Sequence, residues 1–183
     1  MKIKLAALSI VIVISEIFAR YLGFGYPILY RQSSAGYEIK SNQSSTRLFK
    51  TSHYNNFGMR GRDVTELPIQ GTKRILTLGD SVNNGGSQIN DEQTFQSQLE
   101  MLYSNSKIPT EILNASAGGW SVQNEFKWLL SHGIYGASTV VIEINEKDLD
   151  QRFEDSNILD SNVSFPSHRP VLALAVSRTN RNS

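Results

Sequence analysis

The apolar positions of this chain fall into three regimes. From Leu5 to Ile14 they follow one another with only small residues between, leaving no polar face. From about Gly25 to Thr72 they show no sustained period. There Gln32 to Thr46 is rich in Ser, Gln and Asn, and Pro68 and Gly71 punctuate the end of the stretch. From Lys73 they alternate between β-type runs and helical spacings. The run Arg74–Leu78 predicts a first strand. Phe95, Leu99 and Leu102 share one stripe of a helix over about Thr94–Ser104, and Glu111–Asn114 predicts a second strand with a small-residue loop after it to Trp120. Phe126, Leu129 and Leu130 predict the inward face of a helix from about Ser121 to His132, stopped by Gly133. Thr139–Ile144 is a near-continuous apolar run of the kind buried parallel strands show. Strand–helix–strand–helix–strand predicts an α/β parallel sheet with right-handed crossovers, the first strand central and the other two beside it. After Asp150 the pattern fades into a loop-like Ser161–Pro170 and a polar tail. The expected divisions are a hydrophobic segment at 1–24, an irregular stalk and lead-in at 25–72, an α/β domain at 73–150 and an irregular tail at 151–183.

The first segment reads as an anchor. Lys2 and Lys4 precede it, Ser15 and Glu16 interrupt it, and Ile17-Phe18-Ala19 resumes it before Arg20. Leu5–Ala19 is shorter than the about 20 residues a membrane span needs. Extension through Tyr21-Leu22-Gly23-Phe24 reaches that length and takes in Glu16 and Arg20. No small-x-small cleavage site closes the run, so an uncleaved signal anchor is the first expectation and a cleaved signal peptide the second. The lysines favour a cytoplasmic amino terminus and an exported body. A helix buried in the fold is the remaining alternative.

Composition narrows the chemistry. Eighteen basic against 17 acidic residues give a formal charge of +1, with no electrostatic reason to expect nucleic acid as a partner. The absence of cysteine excludes disulfides, thiolate metal sites and a cysteine nucleophile. Histidine chemistry must come from His53, His132 or His168. The first strand ends abruptly in Gly79-Asp80-Ser81, followed by V-N-N-G-G. This stretch lacks both the P-loop lysine and the G-x-G-x-x-G spacing, which argues against nucleotide binding. A serine on a tight turn at a strand's carboxyl end is placed to act as a nucleophile. The loops after the three strands carry Ser81, Gly118-Gly119 and Asn145–Asp148, and parallel topology directs them to one edge of the sheet. Ser81 and Gly119 could each offer a backbone N–H to a developing oxyanion.

Three blocks in this order resemble the SGNH, or GDSL-type, hydrolase superfamily. They are Gly79-Asp80-Ser81 after an apolar strand, Asn114-Ala115-Ser116-Ala117-Gly118-Gly119 after the second, and V-V-I-E-I-N-E-K-D, Val140 to Asp148, in place of the family's V-x-x-E-x-G-x-N-D. The match runs from about Lys73 to Leu149. The upstream N-F-G-M-R-G-R-D and the anchor resemble membrane-anchored bacterial members. The resemblance implies a flavodoxin-like three-layer α/β/α sandwich plus a hydrophobic N-terminal helix. It implies Ser81 as nucleophile, Asp80 shaping its turn, and Ser81 and Gly119 as oxyanion donors. It further implies hydrolysis or transfer of ester-linked acyl groups, on O-acylated glycans or small esters, with no metal or cofactor.

Two departures bear on activity. The family's oxyanion asparagine falls on Lys147, whose ammonium can donate but as a mobile point charge rather than a fixed amide, and the glycine two positions before it falls on Asn145, which could point into the pocket as the oxyanion donor instead. The family's late D-x-x-H block, which supplies the base, does not occur. Asp160 lies eight residues before His168, which is the weak candidate base, and Lys73–Ser183 leaves room for three strands rather than five. The chain is therefore expected to be an incomplete and slow or inactive esterase, or alternatively a non-catalytic anchored module of the same fold. His132 reads as a helix C-terminal cap, His53 as a surface residue and Glu143 as a sheet-face hydrogen-bond partner. Trp128 reads as core, while Trp120 could be core or line a carbohydrate site.

Overall fold

The computed structural model describes residues 2–104 and 108–176. The fold is mixed α/β around a three-stranded parallel sheet. β5 (Lys73–Gly79) is central, with β6 (Thr110–Ser116) on one side and β7 (Thr139–Ile142) on the other. The register runs from Lys73 opposite Thr110 to Gly79 opposite Ser116, and from Ile75 opposite Thr139 to Leu78 opposite Ile142. Leu76 and Leu78 of β5, Leu113 and Ala115 of β6, and Trp120 and Trp128 form one core with Tyr37, Ile39, Tyr54 and Met59. Trp120 is core rather than site lining: its Nε1–H donates to the Tyr37 carbonyl at 3.0 Å.

The segment 25–72 is built rather than irregular. Four short strands, β1 (Tyr30–Ser33), β2 (Gly36–Ile39), β3 (Gln43–Arg47) and β4 (Lys50–Tyr54), form two antiparallel hairpins. The second extends the main sheet through Arg60, which bridges Tyr54 on one side and Asn114 on the other. Beyond Asp150 the chain stays largely irregular but is packed down. Asn124 holds the Glu154 backbone in both directions, and Phe165 meets the rings of Tyr30 and Tyr37 at 5.3 Å each.

Three expectations from periodicity are corrected. On α3 (Phe95–Tyr103), Phe95 and Leu102 face solvent, Leu99 is half-buried and Gln96 points inward. On α4 (Val122–His132), Phe126 and Leu130 are exposed, and the buried positions are Asn124, Glu125 and Trp128. The inward Gln96 of α3 and Asn124 of α4 hydrogen-bond to neighbouring segments, Glu125 is buried with no partner among the described residues and Trp128 packs in the core, so the apolar stripe does not mark the buried face. β7 is the third correction. Its residues are mostly exposed, because it is the outer strand and no element covers it among the described residues.

The N-terminal helix α1 (Lys2–Tyr21) leaves Leu8, Ile10–Ile14, Ile17 and Phe18 exposed. Its last turns dock on the body. Glu16 accepts from the backbone N–H groups of Ala173 (2.8 Å) and Leu174 (3.1 Å), which open the short helix α5 (Ala173–Val176). Arg20 pairs with Glu16 at 2.8 Å and donates to the Val171 carbonyl at 2.7 Å. The two charges that interrupt the apolar run are thus spent on this docking. No helix among the described residues is long and apolar enough to cross a membrane. Lys2, Lys4, Glu16 and Arg20 all lie within α1.

Candidate active site

The turn after β5 is shaped by close approach. A Cβ on Gly79 would lie 2.5 Å from Cβ of Asn83 and 3.0 Å from Oε2 of Glu143, so only glycine fits. Asp80 caps the single-turn helix α2 (Ser81–Asn84), accepting from the Val82 N–H at 2.7 Å. Gly85, in the left-handed region at φ 76°, ends it. Ser81 is exposed at the start of this turn. Neither its hydroxyl nor its N–H has a hydrogen-bond partner among the described residues.

The loop after β6 comes alongside. A Cβ on Gly118 would sit 3.9 Å from Cβ of Ser81, which makes Gly118 the glycine beside the serine. Gly119 is held in the left-handed region at φ 75°, with Tyr37 Oη and Phe165 at 3.0 and 3.2 Å from where its Cβ would be. Tyr37 donates to the Gly118 carbonyl at 2.7 Å and Gln151 to the Gly119 carbonyl at 2.8 Å. The Gly119 N–H has no partner among the described residues. The loop after β7 brings Glu143 against Gly79, then forms a 3-10 turn, Glu146–Leu149. There the Asn145 N–H donates to Asp148 Oδ2 at 2.7 Å, and Asp148 is buried. Lys147 lies in this turn; its side chain falls outside the described residues.

Beneath Ser81 sit two buried polar clusters of opposite character. On the β6 side, Gln96 donates to Thr77 (2.9 Å) and to Asn83. Asn114 donates to the Asn83 carbonyl (3.0 Å) and to Gln96 (2.9 Å), Ser116 donates to Asn114, and Asn84 donates to the Ser116 carbonyl (3.0 Å). Tyr54 closes the chain on Asn84 at 2.8 Å. On the β7 side, Glu125 is 0 % exposed and, among the described residues, neither its carboxylate oxygens nor the buried Oε2 of Glu143 has a hydrogen-bond partner. Burial, then the negative charges of Asp148, Asp80 and Glu143, push the Glu125 carboxyl up to about 8. Burial and the charges of Asp80 and Asp148 also raise Glu143. Periodicity missed Glu125 because an acidic residue on a helix reads as solvent-facing. Its spacing of four from Ser121 and three from Trp128 is the signal that places it inward.

Arg60 fixes the loop that follows. Its buried guanidinium donates to Asp91 (2.9 Å) and to the carbonyls of Asn84 (2.6 Å), Gly86 (2.6 Å) and Ile89 (2.8 Å). The N-F-G-M-R-G segment is therefore a clamp on the loop that follows Ser81.

The histidines lie elsewhere. His168 is exposed and pairs with Asp160 at 3.4 Å, in a loop where Ser167 also bonds Asp160. The Ser167 hydrogen bonds hold Asp160 below the usual carboxylate range. No hydrogen bond joins His168 to Ser81 among the described residues. His132 ends α4, stacked on Trp128 with ring centroids 4.6 Å apart and 3.2 Å from Glu38. His53 bonds Ser44 on the hairpin surface. A cleft of about 500 Å3 is lined by Arg60, Asp91, Gln96 and Glu111 rather than by Ser81, which faces open surface. No grouping of acidic and histidine side chains among the described residues is arranged to hold a metal ion.

Compared with protein-family models and with curated proteins, the sequence matches none.

Proposed function

We propose that this chain carries an SGNH-like acyl-ester site with Ser81 as the acyl-accepting residue and with turnover slow or absent as the chain stands. One observation carries the reading: Ser81 is exposed at the carboxyl end of the central strand, beside Gly118, with its hydroxyl and N–H and the Gly119 N–H all unengaged. The strand order, with the second and third strands flanking the first, agrees with the start of the flavodoxin-like three-layer arrangement that the motif resemblance implies. The substrate class is an O-acylated glycan or a small ester, handled by hydrolysis or acyl transfer without a cofactor.

The same geometry argues for weak chemistry. Serine is a poor nucleophile without an adjacent base, and His168 does not reach it. This favours, as a second reading, a non-catalytic module that keeps the fold and the ligand edge. In both readings the body is attached to a membrane through the exposed apolar surface of α1, on the extracytoplasmic side.

The test is acetyl-ester turnover by the full chain, with Ser81→Ala and His168→Ala beside it. The expected result is weak turnover, reduced by Ser81→Ala and unmoved by His168→Ala. Robust turnover lost in both variants overturns the reading and makes Asp160–His168 a working dyad. Turnover unmoved by either change leaves only the non-catalytic module.

A further inference from the structure

The turn joining β3 to β4 is built against local preference. Arg47 pairs with Lys50 across a two-residue loop, and both loop residues have positive φ, 49° at Leu48 and 64° at Phe49. This is the type I′ arrangement, which favours Asn-Gly because side chains are strained there. Leu48 and Phe49 are bulky, apolar and exposed by 51 % and 70 %. The strain is held at a tip that touches the end of α1 yet leaves more than half of each residue in solvent.

The surroundings identify the partner. The tip lies at the point where α1 meets the body: the Leu48 N–H donates to the Leu22 carbonyl at 2.9 Å, and Phe49 sits edge-on to Tyr21 with ring centroids 6.1 Å apart. On the same end of α1, Arg20 holds the carbonyl of Val171, which is 89 % exposed, next to exposed Leu172. At this end the apolar surface of α1 thus meets exposed apolar residues of the body, Phe49 beside Tyr21 and Val171 beside Arg20. Basic side chains bracket the tip, in the order Arg47-Leu48-Phe49-Lys50. An apolar point flanked by cations fits a bilayer surface with anionic headgroups, the apolar side chains entering the acyl boundary and the cations staying with the phosphates.

We propose that the Leu48-Phe49 hairpin tip is a second membrane foot, seating the body on an anionic lipid surface at the base of α1. It rests on the reading that α1 attaches the chain to a membrane, and it adds a fixed orientation of the body to that attachment.

The experiment uses the full chain and vesicles of phosphatidylcholine with or without phosphatidylglycerol. Leu48→Asn with Phe49→Gly installs the preferred turn. The expected result is at least tenfold weaker vesicle binding with no loss of thermal stability, an outcome that a purely structural role for the tip would reverse. Lys50→Gln is expected to weaken binding about fivefold on anionic vesicles alone. Because the chain has no cysteine, Phe49→Cys carries a single environment-sensitive fluorophore. Its emission is expected to rise and shift to the blue on vesicles, while the same label at Leu130→Cys on α4 stays unchanged. If the chain binds but the label at 49 stays in water, or the Asn-Gly variant binds as well as the parent, the hairpin foot is wrong and α1 alone anchors. If Ile10→Glu with Ile14→Glu leaves binding intact while the label at 49 enters the bilayer, the α1 reading fails and the hairpin stands. No binding by the parent chain overturns both.

Discussion

The two flanks of the central strand's carboxyl end are both buried and both polar, yet they are finished differently. Toward β6, the side-chain groups of Thr77, Asn83, Asn84, Gln96, Asn114 and Ser116 satisfy one another. Toward β7, Glu125 and Glu143 keep carboxylate oxygens out of water with no hydrogen-bond partner among the described residues. A closed polar network fixes geometry, whereas unpaired buried carboxylates raise the energy of the charged state and store a response to pH. The β6 flank is thus the scaffold of the serine turn, and the β7 flank is its chemically unsettled side. The outer strand β7 repeats the contrast. The sheet is continued beyond β6 through Arg60, while the valines of β7 face solvent.

Arg60→Leu should break the scaffold side most severely. It leaves Asp91 with only the His53 N–H among its described partners and removes the guanidinium shared by the carbonyls of Asn84, Gly86 and Ile89. A loss of about 3–5 kcal/mol is expected from removing one partner of a buried pair, measured by denaturant unfolding. A loss below about 1 kcal/mol would mean that the loop is held by other contacts.

Asn114→Leu comes next. It orphans Gln96 and Ser116 in the closed network, and about 2–3 kcal/mol of destabilisation is expected in the same measurement. A neutral result would show that the network relaxes or admits water.

Glu125→Gln probes the opposite flank and should act in the opposite direction. The folded Glu125 holds its proton up to about 8, whereas the unfolded chain releases it near its ordinary value of 4.5. Between those values the folded state binds more protons, so stability falls as pH rises through the window, and the full penalty is present above 8. The variant removes that charge. It should match the parent near pH 4 and melt at higher temperature above pH 8. Parallel melting curves for parent and variant across this range would show that Glu125 is not held protonated by its surroundings.

Ser81→Ala should be the quietest change, within about 0.5 kcal/mol, because the exposed hydroxyl bonds to nothing. A larger loss in thermal unfolding would make the serine a structural residue.

The parallel order of the three strands was legible because Ile75–Leu78 and Val140–Ile142 are β-type runs divided by helical spacing, and topology follows from that alternation. The faces of the helices were not. Gln96 turns inward to bond the side chains of Thr77, Asn83 and Asn114, and Asn124 to hold the backbones of Ala35 and Glu154, while Glu125 is buried with no partner among the described residues; a hydrophobic stripe carries no record of any of these. The hairpins at 30–54 were hidden for a related reason. The turn at Leu48-Phe49 lacks the Asn-Gly signature, and strands rich in Ser and Gln resemble loops. Gly79 was legible from the sharp bend it allows after the strand, and a Cβ there would meet Asn83; Gly118, in ordinary contact with Ser81, was legible only as part of the loop that carries Gly119. The loop clamp of Arg60 needed the structure, since its acceptors lie 24 to 31 residues along the chain.

That separation gives the clamp a place in time. Arg60 is synthesised, and its β3–β4 neighbour can form, before residues 84–91 exist to receive the guanidinium. The cation must wait, solvated, until the first βα unit closes over it. The serine turn is therefore expected to acquire its shape late in folding, and an Arg60 variant should show this as faster unfolding with the refolding rate nearly unchanged.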